Sequence, residues 1–284
     1  MCESPRLQHF ILTRFNLLLW NKDKEGNRVR TREWLEHRFL LFDHYTLPSI
    51  ANQTNKNFVW IVLFDSNTPD EFKQKIILLK EVCPSLVPIY VKPEGGRFFA
   101  QIFRDEVIKR LNGKRVITTY LDNDDALSIH FVEDLQKRAE SLSDGTFINY
   151  IDGYQYYTRY NYLMKIHYPR NHFMSVVEDG NASSVKTIYG YGSHYYIDKI
   201  KGVRIEQIKD IPMWCEVIHE KNMGNDAYFL LGAKMVNDTN LLKREFSVDR
   251  IVNHSFALYF FRFIPRYIKT FIRRIGFFLF GRHW

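Results

Sequence analysis

The amino-acid sequence predicts an α/β fold with a mostly parallel central sheet flanked by helices. From residue 9 to about residue 145, β-branched and aromatic runs alternate with segments of helical periodicity, which is typical of parallel strands joined by helices. The chain has 284 residues, of which 45% are hydrophobic and 16% aromatic, enough to bury a globular core. Two of the predicted strands end in acidic residues, so we expect polar groups at the carboxyl edge of the sheet.

Local signals predict the individual elements in chain order. A first strand covers residues 9–13, and after a polar loop a helix begins at Thr31, a preferred N-cap residue, and runs to Tyr45. Strands at 58–65, 87–91 and 116–121 then alternate with helices at 70–82, 98–111 and 129–141. Later aromatic runs predict strands at 147–150, 154–157 and 187–189.

Cysteine content and hydropathy narrow the class of protein. Cys2, Cys83 and Cys215 lie far apart and form no CxxC pair, so neither a disulfide framework nor a zinc knuckle is predicted. The first residues lack the pattern of a signal peptide, and the apolar runs are shorter than the roughly 18 residues that a membrane span needs. These observations predict a cytoplasmic protein.

The positive charge is concentrated at the C-terminal end of the chain. Residues 250–284 contain seven of the 40 basic residues and none of the 32 acidic ones, which leaves 33 basic residues before them. We therefore expect one domain at 1–238 and a basic, aromatic tail at 239–284. The tail places one basic stripe on a predicted amphipathic helix, at Arg262, Arg266, Lys269 and Arg273.

This tail predicts peripheral association with an anionic membrane surface, at the inner face of the cell membrane. Two alternatives are a helix that packs on the domain with its basic stripe in water, and a surface that binds nucleic acid. The apolar share of the tail is too high for a face that follows nucleic-acid phosphates, so no nucleic acid is expected as a partner.

A group of acids follows the predicted strand at 116–121. Asp122, Asp124 and Asp125 are hard oxygen donors at the end of a buried strand, which suits Mg²⁺ or Mn²⁺ bound together with a diphosphate. The alternative is a turn followed by a helix N-cap, because Asp and Asn are preferred in both. A cap needs one acid rather than three, which favours the metal site.

Three motifs in this order carry a resemblance to a known family: Thr13-Arg14-Phe15-Asn16, then Trp60-Ile61-Val62-Leu63-Phe64-Asp65, then Tyr120-Leu121-Asp122-Asn123-Asp124-Asp125. Over most of residues 9–225 the chain resembles bacterial GT-A-type glycosyltransferases, specifically the family described as putative rhamnosyltransferases. The resemblance implies that Asp122, Asp124 and Asp125 hold a divalent metal on a nucleotide-sugar donor through a DxD motif. It also implies a late histidine ligand, for which His219 is the first candidate and His194 the second.

The resemblance further implies which residues contact the donor nucleotide. The loop after the first strand and the end of the second strand would line the nucleotide pocket, through Thr13, Arg14, Asn16 and Asp65, with Asp122 at the diphosphate. Arg97 follows the Gly95-Gly96 turn, where it either reaches a phosphate or ribose or is a surface residue at a helix start. No Gly-rich phosphate loop is present, which argues against kinases and dehydrogenases.

The resemblance implies transfer of a sugar, rhamnose by the family's description, to a glycan or glycolipid acceptor. An inverting reaction, expected for an activated β-L-rhamnose, needs a carboxylate base; Glu178 and Asp179 are the first candidates, ahead of Glu216 and Asp226. The alternatives are a metal-dependent phosphoesterase and a non-catalytic membrane-associated binding protein. Tyrosines between Tyr154 and Tyr168 would bind the acceptor or, for about half of them, form strand core.

Overall fold

The computed structural model describes residues 7–19, 31–112, 115–219 and 233–252, together with scattered helical positions between 257 and 275. Asp226 and the predicted basic stripe lie outside the described residues. Within the described ranges, no helix is both long enough and apolar enough to cross a membrane.

Strands of the described chain form two sheets. The strands are β1 Gln8–Arg14, β2 Val59–Asp65, β3 Leu86–Val91, β4 Val116–Tyr120, β5 Ala126–Leu127, β6 Thr146–Tyr150, β7 Asp152–Tyr157, β8 Tyr162–His167, β9 Ser175–Glu178, β10 Arg204–Ile208, β11 Trp214–Ile218 and β12 Lys234–Met235. The larger sheet has the order β10-β6-β9-β4-β1-β2-β3, and its neighbouring strands are parallel except where β9 runs antiparallel between β4 and β6. The smaller sheet has the order β12-β8-β7-β11-β5.

Helices cover both faces of the larger sheet. The α-helices are α1 Arg32–Leu41, α2 Leu47–Ala51, α3 Asp70–Val82, α4 Phe99–Ile108, α5 Phe131–Ala139 and α6 Leu241–Phe246. A π-helical turn, Phe42–Thr46, joins α1 to α2, and short 3₁₀ helices form at Pro93–Phe98, Thr158–Tyr160, Ile188–Tyr191 and His194–Lys199. As the sequence predicts, Thr31 caps α1, because its hydroxyl accepts a hydrogen bond from the Trp34 amide at 3.2 Å.

Alternate residues of the central strands enter two hydrophobic cores. In β2, Trp60 and Val62 pack on the face covered by α1, α3 and α5, whereas Ile61 and Leu63 pack on the face covered by α4. This alternation follows from the two-residue period of a strand. Because both faces are buried, β2 is apolar along its whole length until Asp65, where it reaches the carboxyl edge of the sheet.

The structure confirms the predicted α/β fold and its mostly parallel sheet, and it corrects two expectations. Residues 187–189 are not a strand: Thr187 has a φ of 64°, and the Ile188 amide donates to the Thr118 hydroxyl instead of to a neighbouring strand. The folded body also continues past residue 238, because Leu242 and Phe246 of α6 are buried against the smaller sheet.

Most tyrosines of the predicted acceptor stretch belong to the core. Tyr154, Tyr156, Tyr157 and Tyr162 are buried, as the core alternative expects, and Gly153 lies among them directly under the Trp214 ring. Tyr160 and Tyr168 are half-buried.

Candidate functional site

The acidic group lies where β4 ends at the carboxyl edge of the larger sheet. Beside it, β9 runs in the opposite direction, with Thr119 paired to Ser175 and the Tyr120 amide bonded to the Met174 carbonyl. Continuing this register by three residues brings His172 opposite Asp122. The antiparallel neighbour therefore delivers a histidine to the end of the strand that carries the acids.

Three side chains converge at this point. Nε2 of His172 lies 2.9 Å from Oδ2 of Asp125 and 4.0 Å from Oδ2 of Asp122. One potential ligand atom from each of these three residues lies within 4.8 Å of the other two. Asp125 and His172 are buried, whereas Asp122 is partly exposed, so the group is open to solvent on the Asp122 side. Two carboxylates and an imidazole form a donor set that could hold a divalent cation.

Burial and mutual charge shift the protonation of this cluster. Burial raises the pKa of Asp125, and the charges of Asp124 and Glu216 add to the effect against the hydrogen bond from His172. Burial alone would lower the pKa of His172, but the hydrogen bond to Asp125 and the surrounding carboxylates outweigh it and raise that pKa. Both shifts favour the protonated forms, so a cation bound here would displace protons from Asp125 and His172.

A cavity of about 330 Å³ opens beside the cluster. Its wall includes Arg14, Phe99, Tyr120, His172, Tyr189, Gly192, Ser193 and His194. The wall is largely aromatic and carries one permanent positive charge. Burial, together with the charge of His172, lowers the pKa of His194 to about 3, so its imidazole is neutral at physiological pH.

Arg14 links the cavity to the acids. Its guanidinium donates to the Tyr120 hydroxyl at 2.8 Å and lies 3.6 Å from Oδ1 of Asp122. The same group lies over the Phe99 ring, with its carbon 4.7 Å from the ring centroid. Tyr120 in turn donates to Asp122 at 2.8 Å, and these contacts fix the Asp122 carboxylate against Arg14 and Tyr120 of the cavity wall.

Asp124 faces a different set of partners. Its Oδ2 accepts a hydrogen bond from Arg38 of α1 at 2.8 Å and lies 3.0 Å from Nε2 of His219. Burial opposes the charge of Asp124, but Arg38 and then His219 outweigh it and lower the pKa of this carboxyl group. Arg38 also donates to Asn123, whose amide donates to the Phe15 carbonyl. Asp124 therefore anchors the loop after β4 to α1 and to His219, the residue that follows β11.

The smaller sheet contributes a further acid. Because Cys215 pairs with Ala126 in an antiparallel register, Glu216 lies opposite Asp125, and the Val217 amide donates to Oδ1 of Asp125 at 2.8 Å. Glu216 is buried, accepts a hydrogen bond from Gln155 at 2.6 Å, and has a raised pKa, first because of burial. β11 therefore places Glu216 and the Val217 amide beside Asp125.

Comparison with protein families recognises most of the chain. The family described as "Putative rhamnosyl transferase" matches residues 8–229. The chain belongs to this family. Membership confirms the resemblance found in the sequence and supports a GT-A-type glycosyltransferase. Comparison with curated proteins finds no match.

Solved structures of TarS from S. aureus are similar to this rhamnosyl transferase family member. The full-length TarS crystal structure has 8% identity and a TM-score of 0.39, covering 75% of this chain and 37% of its own. The 1–349 fragment has 11% identity and a TM-score of 0.43, and the same fragment in complex with UDP has 10% and 0.41. These two cover 75% of this chain, which spans 60% and 61% of theirs.

Only some of the residues that the sequence predicts to contact the nucleotide-sugar donor lie near the cluster. Arg14 lines the cavity and is adjacent to Asp122. Thr13 is fully buried, and its hydroxyl accepts a hydrogen bond from the Trp60 indole at 2.9 Å, so it belongs to the core. Arg97 is exposed, stacks over Phe98, and does not line the cavity.

Asn16 and Asp65 hold two loops of the carboxyl edge together. The Asn16 side chain accepts a hydrogen bond from the Asp65 amide at 2.9 Å and donates to the Thr68 hydroxyl at 3.0 Å. Asp65 accepts from the Asn67 amide at 2.7 Å. Both residues are buried beneath the edge where Asp122 lies, so in this structure they shape the loops after β1 and β2.

The structure does not bring Glu178 and Asp179 to the cluster. Glu178 pairs with Val116, at the beginning of β4, so it lies at the opposite edge of the sheet, roughly 20 Å from Asp122 at about 3.3 Å per strand residue. Its carboxylate accepts backbone hydrogen bonds from Lys186 and Thr187, and Asp179 is exposed. The structure therefore brings neither of the two predicted bases to the cluster, since β9 ends away from it.

The remaining candidates divide between two clusters. His219 contacts Asp124, whereas the second candidate, His194, lines the cavity with its ring centroid 5.8 Å from that of His172. His172 and Arg38 were not anticipated. Neither has a local sequence signal, because a strand pairing brings His172 to the site and helix packing brings Arg38.

Proposed function

We propose that this protein is a metal-dependent glycosyltransferase that takes its sugar from a nucleotide-sugar donor. The observation that carries the proposal is the convergence of Asp122, Asp125 and His172 beside a cavity that contains Arg14. Carboxylates next to a cavity whose wall carries the Arg14 guanidinium suit a diphosphate held between a metal ion and that guanidinium.

The donor set fits a bound divalent cation. Two ligands on opposite sides of Mn²⁺ or Mg²⁺ lie about 4.2 Å apart, since each bond is about 2.1 Å, and the three ligand atoms here lie within 4.8 Å of one another. The imidazole of His172 favours Mn²⁺ over Mg²⁺, which prefers oxygen ligands. When bound, the cation would act as a Lewis acid on the oxygens of the leaving diphosphate. The open side at Asp122 leaves room for those oxygens.

Arg14 would stabilise the same leaving group from the protein side. Its charge is held in place by Tyr120 and by the Phe99 face, so the guanidinium needs no reorganisation as negative charge develops on the diphosphate. The aromatic wall formed by Phe99 and Tyr189 would take the less polar part of the donor.

Glu216 would be the general base that accepts the proton of the acceptor hydroxyl. The register of β5 and β11 places Glu216 beside Asp125, and its raised pKa suits a general base. The family description supports rhamnose as the sugar and, with an activated β-L-rhamnose, an inverting reaction. The proposed acceptor is a glycan or glycolipid.

Nucleotide binding tests this function directly. UDP, dTDP, GDP and ADP are titrated calorimetrically, each with and without Mn²⁺, into the native protein, Asp122→Asn and Asp179→Asn. We expect Mn²⁺-dependent binding of one nucleotide, lost in Asp122→Asn and kept in Asp179→Asn, whose acid is exposed and remote. Binding of none of them would overturn the proposal. Phosphoester hydrolysis without sugar transfer would favour the phosphoesterase alternative.

A further inference from the structure

Several apolar side chains are exposed at the described helical positions of the C-terminal segment. The described positions Phe261, Ile264, Ile268, Phe271, Ile272 and Ile275 are all helical. Phe261 is 73% exposed and Ile272 62%, and Ile268, Phe271 and Ile275 are also exposed. At about 100° per residue these six positions fall within an arc of roughly 100° on an ideal helix, so they form one stripe.

The charge of the same segment indicates what kind of surface binds this stripe. Residues 250–284 hold seven basic residues and no acid. The sequence spacing of Arg262, Arg266, Lys269 and Arg273 gives a basic stripe that begins about 60° from the apolar one on an ideal helix. An anionic phospholipid bilayer has negatively charged headgroups above an apolar interior. A segment that combines an apolar stripe with basic residues complements such an interface.

We infer that the stripe Phe261–Ile275 is a membrane-docking surface whose partner is an anionic phospholipid bilayer. The described apolar side chains enter the boundary between headgroups and acyl chains, and the basic residues in the sequence of the same segment supply the charge that attracts lipid phosphates. The surface uses none of the residues of the cluster at Asp122, so it is independent of the proposed transferase activity.

Vesicle sedimentation tests the docking surface with the full chain. The probes are vesicles of phosphatidylcholine alone and of phosphatidylcholine mixed with phosphatidylglycerol, tested with the double variant Ile268→Glu/Ile272→Glu. The control, Ile77→Glu/Leu78→Glu, changes two α3 side chains that are 53% and 57% exposed and adds the same charge elsewhere. Native protein and control should sediment with the anionic vesicles, and the stripe variant should bind at least about tenfold more weakly.

Three results would overturn the inference. The first is vesicle binding by the stripe variant that equals that of the native protein, and the second is no binding of the native protein to anionic vesicles. The third is a native protein that binds no vesicles and is a dimer in light scattering, while the stripe variant is a monomer. The last result would make the stripe a contact between two copies. Nucleotide titration of the stripe variant separates this surface from the transferase site, because donor binding should be unchanged.

Discussion

Nε2 of His172 lies 2.9 Å from Oδ2 of Asp125, although 47 residues separate them in the chain. The contact exists because β9 pairs antiparallel to β4, so that the residues before β9 meet those after β4. A carboxylate and an imidazole in this arrangement, with Asp122 as a third donor, form the donor set of the proposed cation site.

Replacing His172 should weaken cation binding. His172→Gln removes one of three donors, so we expect the affinity for Mn²⁺ to fall by at least about tenfold, as measured by calorimetry. The control is His194→Gln, which changes the other histidine of the cavity wall and should retain native Mn²⁺ affinity. Equal losses in both variants would contradict the assignment of His172 as a ligand.

Asp124 should matter more for stability than for cation binding. Asp124→Asn leaves the buried guanidinium of Arg38 without its counter-charge, and we expect a loss of about 3 kcal/mol in the free energy of unfolding in urea. The control Asp122→Asn alters a partly exposed carboxylate and should cost less than about 1 kcal/mol. Mn²⁺ binding should show the reverse order, since Asp122 belongs to the cluster. A loss of Mn²⁺ binding in folded Asp124→Asn would restore Asp124 as a ligand.

Replacing Arg14 should have different effects on the affinity for Mn²⁺ and on the affinity for the nucleotide. Arg14→Met removes a positive charge 3.6 Å from Asp122, so the affinity for Mn²⁺ alone should rise or stay unchanged. Affinity for the nucleoside diphosphate should fall by about tenfold or more, because a charged hydrogen-bond donor is lost. Arg97→Met is the matched control, since Arg97 is exposed outside the cavity wall. If nucleotide affinity falls only in Arg97→Met, the diphosphate binds nearer the Gly95-Gly96 turn.

Gly153 should tolerate no side chain. A Cβ at this position would lie 2.2 Å from the Trp214 ring, whose indole donates to the Tyr150 carbonyl at 2.6 Å. Gly153→Ala should therefore destabilise the protein by about 2 kcal/mol or more in urea unfolding. Gly190→Ala, on the surface, would meet only the Lys186 Cβ at 3.1 Å and should have a small effect. Native stability of Gly153→Ala would show that Trp214 can move aside.

Local patterns in the sequence were sufficient to predict most elements of the larger sheet. The predicted helix at 70–82 coincides with α3, and the predicted strand at 58–65 differs from β2 by one residue. These predictions succeed because periodicity, capping residues and β-branched runs act over short distances. For the same reason the sequence determined that Asp122, Asp124 and Asp125 follow a buried strand at the carboxyl edge.

Tertiary structure alone decided which side chains meet there. The direction of β9 brings His172 to Asp122 and takes Glu178 to the other edge, and no local pattern specifies whether a short apolar strand pairs parallel or antiparallel. Packing of α1 brings Arg38 to Asp124, so Asp124 has a different partner from Asp122 and Asp125. The sequence by itself determined the chemistry available at the end of β4, whereas long-range pairing determined which groups share the site.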